Sequence, residues 1–206
     1  MNEIEKLIPD NKEGKPVDIE RSITKTSEEE AKHLFEIAGY KLYRPCTWHE
    51  MPGLSGSIFN LYKNNNQSLL KDIAEINDYI SIDIPGPGPK AGEGKDWVRV
   101  EDLQENFDNE ADESCGMKVR ASINPNNEQQ QKTVAHFFKE GATSTFILRR
   151  KHNTVITSYH GRNEIPNLKH AIFTDKLRNA AVAFAAIAGF SEIQWTNFLK
   201  GLLHEK

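Results

Sequence analysis

The chain has 206 residues, with 30 acidic and 26 basic side chains and a formal charge of −4, and its isoelectric point lies near 6.0. That balance supplies no basic field of the kind that draws a protein onto nucleic acid phosphates, so no nucleic acid partner is expected. Hydrophobic residues make up 37% and charged residues 27%, and the mean hydropathy is −0.63; this is a globular composition with enough apolar material for one substantial core.

The first stretch, MNEIEKLIPDNKEGKPVDIERS, interleaves charges with isolated aliphatic residues and lacks the unbroken apolar segment of a secretory signal. The longest apolar run, Ala180 to Phe190, falls far short of the about 20 residues that cross a bilayer as a helix. A cytoplasmic protein without membrane association is the expectation. Two widely separated cysteines, Cys46 and Cys115, fit reduced thiols better than a disulfide framework. Residues 1–24 read as a flexible arm, because Lys, Glu, Asn, Gly and Pro outnumber anything that packs, and residues 25–206 as a single α+β domain.

Ser27 and Glu30 form a capping-box pattern, Ala31, Leu34, Phe35 and Ala38 recur at helical spacing, and Gly39 supplies a stop, which predicts a helix over Glu28–Ala38. The following stretch, with Pro45, Pro52, Gly53 and Gly56, predicts irregular chain leading to a strand at Ser57–Tyr62, then a turn at Lys63–Gln67. Ser68–Ile76 is ambiguous between strand and short helix.

Tyr79–Ile84 alternates, placing Ile80, Ile82 and Ile84 on one face, and Trp97–Glu101 resumes the alternation with Val98 and Val100 together. Between them lies the Pro/Gly-rich segment PGPGPKAGEG, so Asp78–Leu103 reads as a hairpin presenting a long loop, which is where binding residues tend to sit. Acidic residues crowd the next stretch (Glu101, Asp102, Glu105, Asp108, Glu110, Asp112 and Glu113), which predicts a solvated loop. Gly116–Ile123 reads as a strand and Asn124–Gln131 as a loop. Thr143–Arg150 and Thr154–His160, separated by Lys151-His152-Asn153, make the clearest hairpin. Phe173, Leu177, Ala181, Phe184 and Ala188 share a helical face; Gly189 interrupts, and Ser191 with Gln194 restarts a helix bearing Ile193, Trp195, Phe198, Leu199 and Leu202.

The predicted class is therefore α+β: a mostly antiparallel curved sheet or small open barrel, one N-terminal helix, and a C-terminal helical pair packed on the sheet. This order of helix, sheet and C-terminal helix resembles helix-grip ligand-binding folds in topology alone, a likeness that implies no substrate.

Two functional readings follow. The first is a non-enzymatic binding or assembly module that recognises a protein partner, self-associates, or holds a small ligand between sheet and final helix. Its candidate residues are Trp97 and Arg99, of the types enriched at interface hot spots, the loop residues Pro85, Pro87 and Lys90, and Arg149 and Arg150 on the later hairpin. The alternative is a nuclease-like hydrolase in which His160 at a strand end acts as base, Arg162 as charge clamp and Glu164 as orienting carboxylate. That reading requires the three side chains to converge in one concave pocket. The Cys46–His49 pair is half of a zinc spacing without a second pair, so neither metal nor cofactor is expected. The proline-rich loop lacks the Gly-Lys-Ser/Thr ending of a phosphate loop.

Overall fold

The computed structural model describes residues 3–54, 56–63, 69–70, 73–84, 89–107, 112–127, 133–167 and 192–204. Its strands are β1 (Val17–Thr24), β2 (Ile58–Tyr62), β3 (Leu69–Leu70), β4 (Tyr79–Asp83), β5 (Asp96–Asn106), β6 (Asp112–Ala121), β7 (Thr143–Lys151) and β8 (Thr154–Arg162). They form one antiparallel sheet in the order β1-β8-β7-β6-β5-β4-β2-β3. Helix α1 (Glu28–Leu42) and a C-terminal helix, α2, over residues 192–202 both pack on one face, here called inner. Val17 and Ile19 at one edge of the sheet and Phe59 and Leu61 near the other join the same apolar cluster, so the sheet wraps around the helices. The predicted first member of the C-terminal helical pair, like Pro85 and Pro87, lies outside the described residues.

Helix α1 starts where the sequence predicts: the Ser27 hydroxyl accepts from the Glu30 N–H at 3.1 Å. The Glu30 carboxylate reaches back to Thr26, accepting from both its N–H and its hydroxyl. The predicted stop at Gly39 does not hold. The helix continues to Leu42, which is fully buried, and Gly39 instead faces Cys115 and Leu148 on the sheet. Beyond α1, a 3-10 turn (Pro45–Glu50) folds Trp48 into the core, where its indole N–H donates to the Lys41 carbonyl of α1. Trp48, Phe59, Phe146, Tyr159, Trp195 and Phe198 form a continuous aromatic cluster, with centroids 4.6 to 6.0 Å apart.

Two sequence expectations are corrected. Residues 3–24 are not an arm. Glu3–Leu7 forms a 3-10 turn that buries Ile4 and Leu7 against Ile147 on the outer face of the sheet, and β1 pairs with β8 from Val17↔Gly161 to Thr24↔Thr154. An edge strand needs only one short apolar row, and the charges on its other positions suit an exposed edge; that is why its composition looks unfolded. Nor are the described acidic residues in a loop: Glu101, Asp102 and Glu105 lie in β5, which runs to Asn106, and Asp112 and Glu113 open β6, while Asp108 and Glu110 lie outside the described residues. Cations on neighbouring strands compensate it: Glu101 pairs with Arg120 and Lys118, and Glu113 with Arg150 at 2.6 Å. A register shift between Val100 and Asp102 marks a bulge inside β5.

Candidate functional site

Side-chain parity along the strands decides what can meet. On β5, Asp96, Val98 and Val100 alternate with Trp97, Arg99 and Glu101; Val98 and Val100 belong to the core under the helices, so Asp96 points inward with them. It meets residues 135–138, which are tied to the end of the sheet by Trp97 N–H to Ala135 carbonyl (2.7 Å) and Ala135 N–H to Ser122 carbonyl (2.8 Å). The Asp96 carboxylate accepts the Phe137 N–H at 2.9 Å. It is 3% exposed, and burial pushes it up to about 7 despite that hydrogen bond. Next to it, His136 accepts the Phe138 N–H on Nδ1 and stacks on the Phe137 ring, and burial pushes it down to about 3, so it is neutral.

Helix α2 closes the other side. Gln194 donates to the Ser57 hydroxyl at 2.8 Å, and Trp195 stacks on Tyr159 with centroids 5.4 Å apart. The Tyr159 hydroxyl donates to Glu164 at 2.8 Å and shares a hydrogen bond with Ser144. Burial is the main reason that Tyr159 lies well above its usual range and that Glu164 rises to about 7. Ile82, Ile84, Phe137, Phe138 and Trp195 wall a cavity of about 30 Å3 into which Asp96, His136, Ser144, Tyr159 and Gln194 converge. It has room for about one water.

The residues singled out by the sequence fall elsewhere. Trp97 is buried on the outer face, its indole N–H donating to the Gly92 carbonyl and its ring packed against Tyr62, Ala91 and Ala135. It covers the sheet and is no exposed anchor. Lys90 is exposed at the start of a short 3-10 turn. Arg149 and Arg150, adjacent in sequence, face opposite sides: Arg149 reaches Glu5 on the outer face and Arg150 is buried with Glu113. Arg99 lines an outer-face groove with Tyr79 and Arg120.

His160 and Arg162 come together on the outer face, where both reach the carboxylate of Asp18 on β1, at 2.6 and 2.7 Å. Burial alone would raise Asp18, but Arg162 and His160 hold it below the usual carboxylate range. Glu164 is not with them; it lies inward on Tyr159. The convergence that the hydrolase reading requires is absent from these placements. Cys46 accepts the Leu61 N–H on its sulfur while His49 is exposed, and among the described residues no group of three or more His, Cys, Asp or Glu is arranged to hold a metal.

None of Asp96, His136, Ser144, Tyr159 and Gln194 is among the candidate site residues named from the sequence. One signal was present: Asp96 is in step with Val98 and Val100, a carboxylate on an otherwise apolar row. Among the described residues no helix is long and apolar enough to cross a membrane. No protein-family model matches the chain, and no curated protein sequence matches it. Among solved structures it is similar to norcoclaurine synthase from Thalictrum flavum, at 11% identity over 84% of this chain and 86% of that one, with a TM-score of 0.33, a likeness too slight to carry an argument.

Proposed function

We propose that the protein is a binding module whose ligand is a small, largely apolar molecule bearing a hydrogen-bond donor, seated between the inner face of the sheet and α2. Asp96 carries this reading. Its carboxyl is buried with one backbone N–H as partner, no cation lies against it among the described residues, and it faces a lining of Ile82, Ile84, Phe137, Phe138 and Trp195. A carboxyl so placed is stable when protonated or when a guest presents N–H or O–H to it, and aromatic walls favour a cationic guest further. The burial of Trp97 removes the main support for a protein-docking loop and turns the reading toward a small ligand.

The cavity of about 30 Å3 is smaller than a ring, so a ring-sized guest enters by shifting α2, which carries both Gln194 and Trp195. The test follows the tryptophans by fluorine NMR in protein labelled with 5-fluorotryptophan, titrated with benzylamine, benzyl alcohol and toluene. The Trp195 resonance should move saturably with the first two and much less with toluene, and Asp96→Asn should abolish the preference for the amine. The reading is wrong if no compound moves Trp195, or if the order of affinities survives in Asp96→Asn.

A further inference from the structure

We propose that the outer face carries a second site, independent of the inner cavity, for an oxyanion borne on a small flat molecule, held in the groove between Arg99 and Arg120. The groove has a volume of about 280 Å3 and is lined by Arg99, Arg120, Tyr79, Ile123, Val134 and the exposed Glu140 among others. That volume stands at the lower edge of the about 300 to 1,000 Å3 typical of small-molecule sites.

The sheet register creates the charge. Tyr79, Arg99 and Arg120 are direct cross-strand neighbours on β4, β5 and β6. Directly opposed side chains stand about 5 Å apart at Cβ, a spacing at which like charges repel. Glu101 is the carboxylate that pairs with the patch's cations. It takes Arg120 through two parallel bonds, one of them 3.0 Å long, and lies 3.7 Å from Lys118. Burial would raise Glu101, yet Arg120, Lys118 and Arg99 together hold it below the usual range. Arg120 is further fixed by donating to the Gly141 carbonyl.

Arg99 is left over. It is half-buried, and among the described residues no hydrogen bond or ion pair holds its guanidinium, which acts on Glu101 only at a distance. Arg99, Arg120 and Lys118 share Glu101, Lys118 also stands opposite Asp102 in the register and exposed Glu140 lines the groove, so the patch is near charge balance and what it offers an anion is the unbonded Arg99 guanidinium. A planar guanidinium with free donors matches the two oxygens of a carboxylate or phosphate. Ala121, Ile123, Val134 and the Tyr79 ring provide the apolar walls for a flat body attached to that anion.

The experiment is an NMR titration of the full chain, reading the arginine Nε–Hε resonances, with benzoate, phenyl phosphate and the uncharged isostere benzamide as probes. Benzoate or phenyl phosphate should move the Arg99 and Arg120 signals saturably, more weakly as salt is added, and benzamide should leave them in place. Arg99→Gln, which removes no bond of the fold, should weaken anion binding at least about tenfold while amide resonances elsewhere stay put. A response to benzoate alone assigns a carboxylate and a response to phenyl phosphate alone a phosphate ester; each supports the site. Anions that leave Arg99 unmoved, or bind Arg99→Gln as well as the parent, overturn it. Asp96→Asn serves as the control that keeps groove binding intact, so failure here and failure at the inner cavity are told apart.

Discussion

Replacing Asp96 by Asn removes a carboxyl that the fold buries without a cation, and the structure sets both sign and size of the effect. Burial moves Asp96 from 3.8 to about 7. Between those values the native state holds a proton that the unfolded chain has released, so this group's contribution to stability is greatest below about pH 4 and is lost as pH rises to about 7. At about 1.4 kcal/mol per pH unit the loss amounts to about 4 kcal/mol. Asn keeps an oxygen for the Phe137 N–H and has no charge to bury. It should therefore stabilise the protein by about 4 kcal/mol near pH 8 relative to its effect near pH 4.

Two neighbours shape the raw curve. Burial lowers His136 from 6.5 to about 3, so the unfolded chain takes up a proton that the native state refuses, and stability rises with pH across that window. Glu164, raised chiefly by burial from 4.5 to about 7, works in the same direction as Asp96. The opposed slopes partly cancel in the parent protein, whereas the difference between parent and variant isolates Asp96. Urea unfolding followed by far-ultraviolet circular dichroism, in steps from about pH 4 to 8, measures that difference. A difference that stays constant across the range would falsify the claim of an unpaired buried carboxyl.

Glu113→Gln should cost about 3 kcal/mol in the same unfolding assay, because Arg150 is 1% exposed in its side chain and keeps its charge while losing its carboxylate; a cost below about 1 kcal/mol would show that its remaining contacts, among them the His152 carbonyl, suffice. Gly116→Ala places a methyl 2.7 Å from the Leu7 side chain and 2.9 Å from the Phe146 carbonyl, so it should destabilise by about 1 to 3 kcal/mol and speed amide hydrogen exchange in residues 3–8 more than in α1. Equal exchange in the two segments would mean that the N-terminal turn is not seated through Gly116.

What the sequence made legible was set by period and parity. Three isoleucines against a polar row located β4, and two β-branched segments around His152, which sits at φ 53, located the β7–β8 hairpin. Composition misled wherever a strand has one face in water. β1 buries little more than Val17 and Ile19, and the charges of β5 and β6 are balanced by cations such as Arg120 and Arg150 that are distant in sequence, relations that no local window contains.

The grouping of His160, Arg162 and Glu164 fails for a related reason. Parity puts the three together only if β8 runs on, but the strand ends at Arg162 and Asn163 turns at φ 57, held there by bonds to Asp10, Asn11, Lys12 and Glu13. Past that turn the alternation restarts. Gly161, between the two outward residues, leaves the space that Glu164 uses to reach Tyr159, since a Cβ there would collide with the Glu164 carboxylate. Gly161 therefore helps to split the segment, with His160 and Arg162 reaching Asp18 and Glu164 turned inward. Where no turn intervenes parity holds: Asp96 is followed by Val98 and Val100 on one run of strand, and it stands inside. A charge in step with an apolar row is thus a stronger pointer to a site in this chain than charges that merely crowd together, because burying the former costs several kcal/mol and solvating the latter costs little.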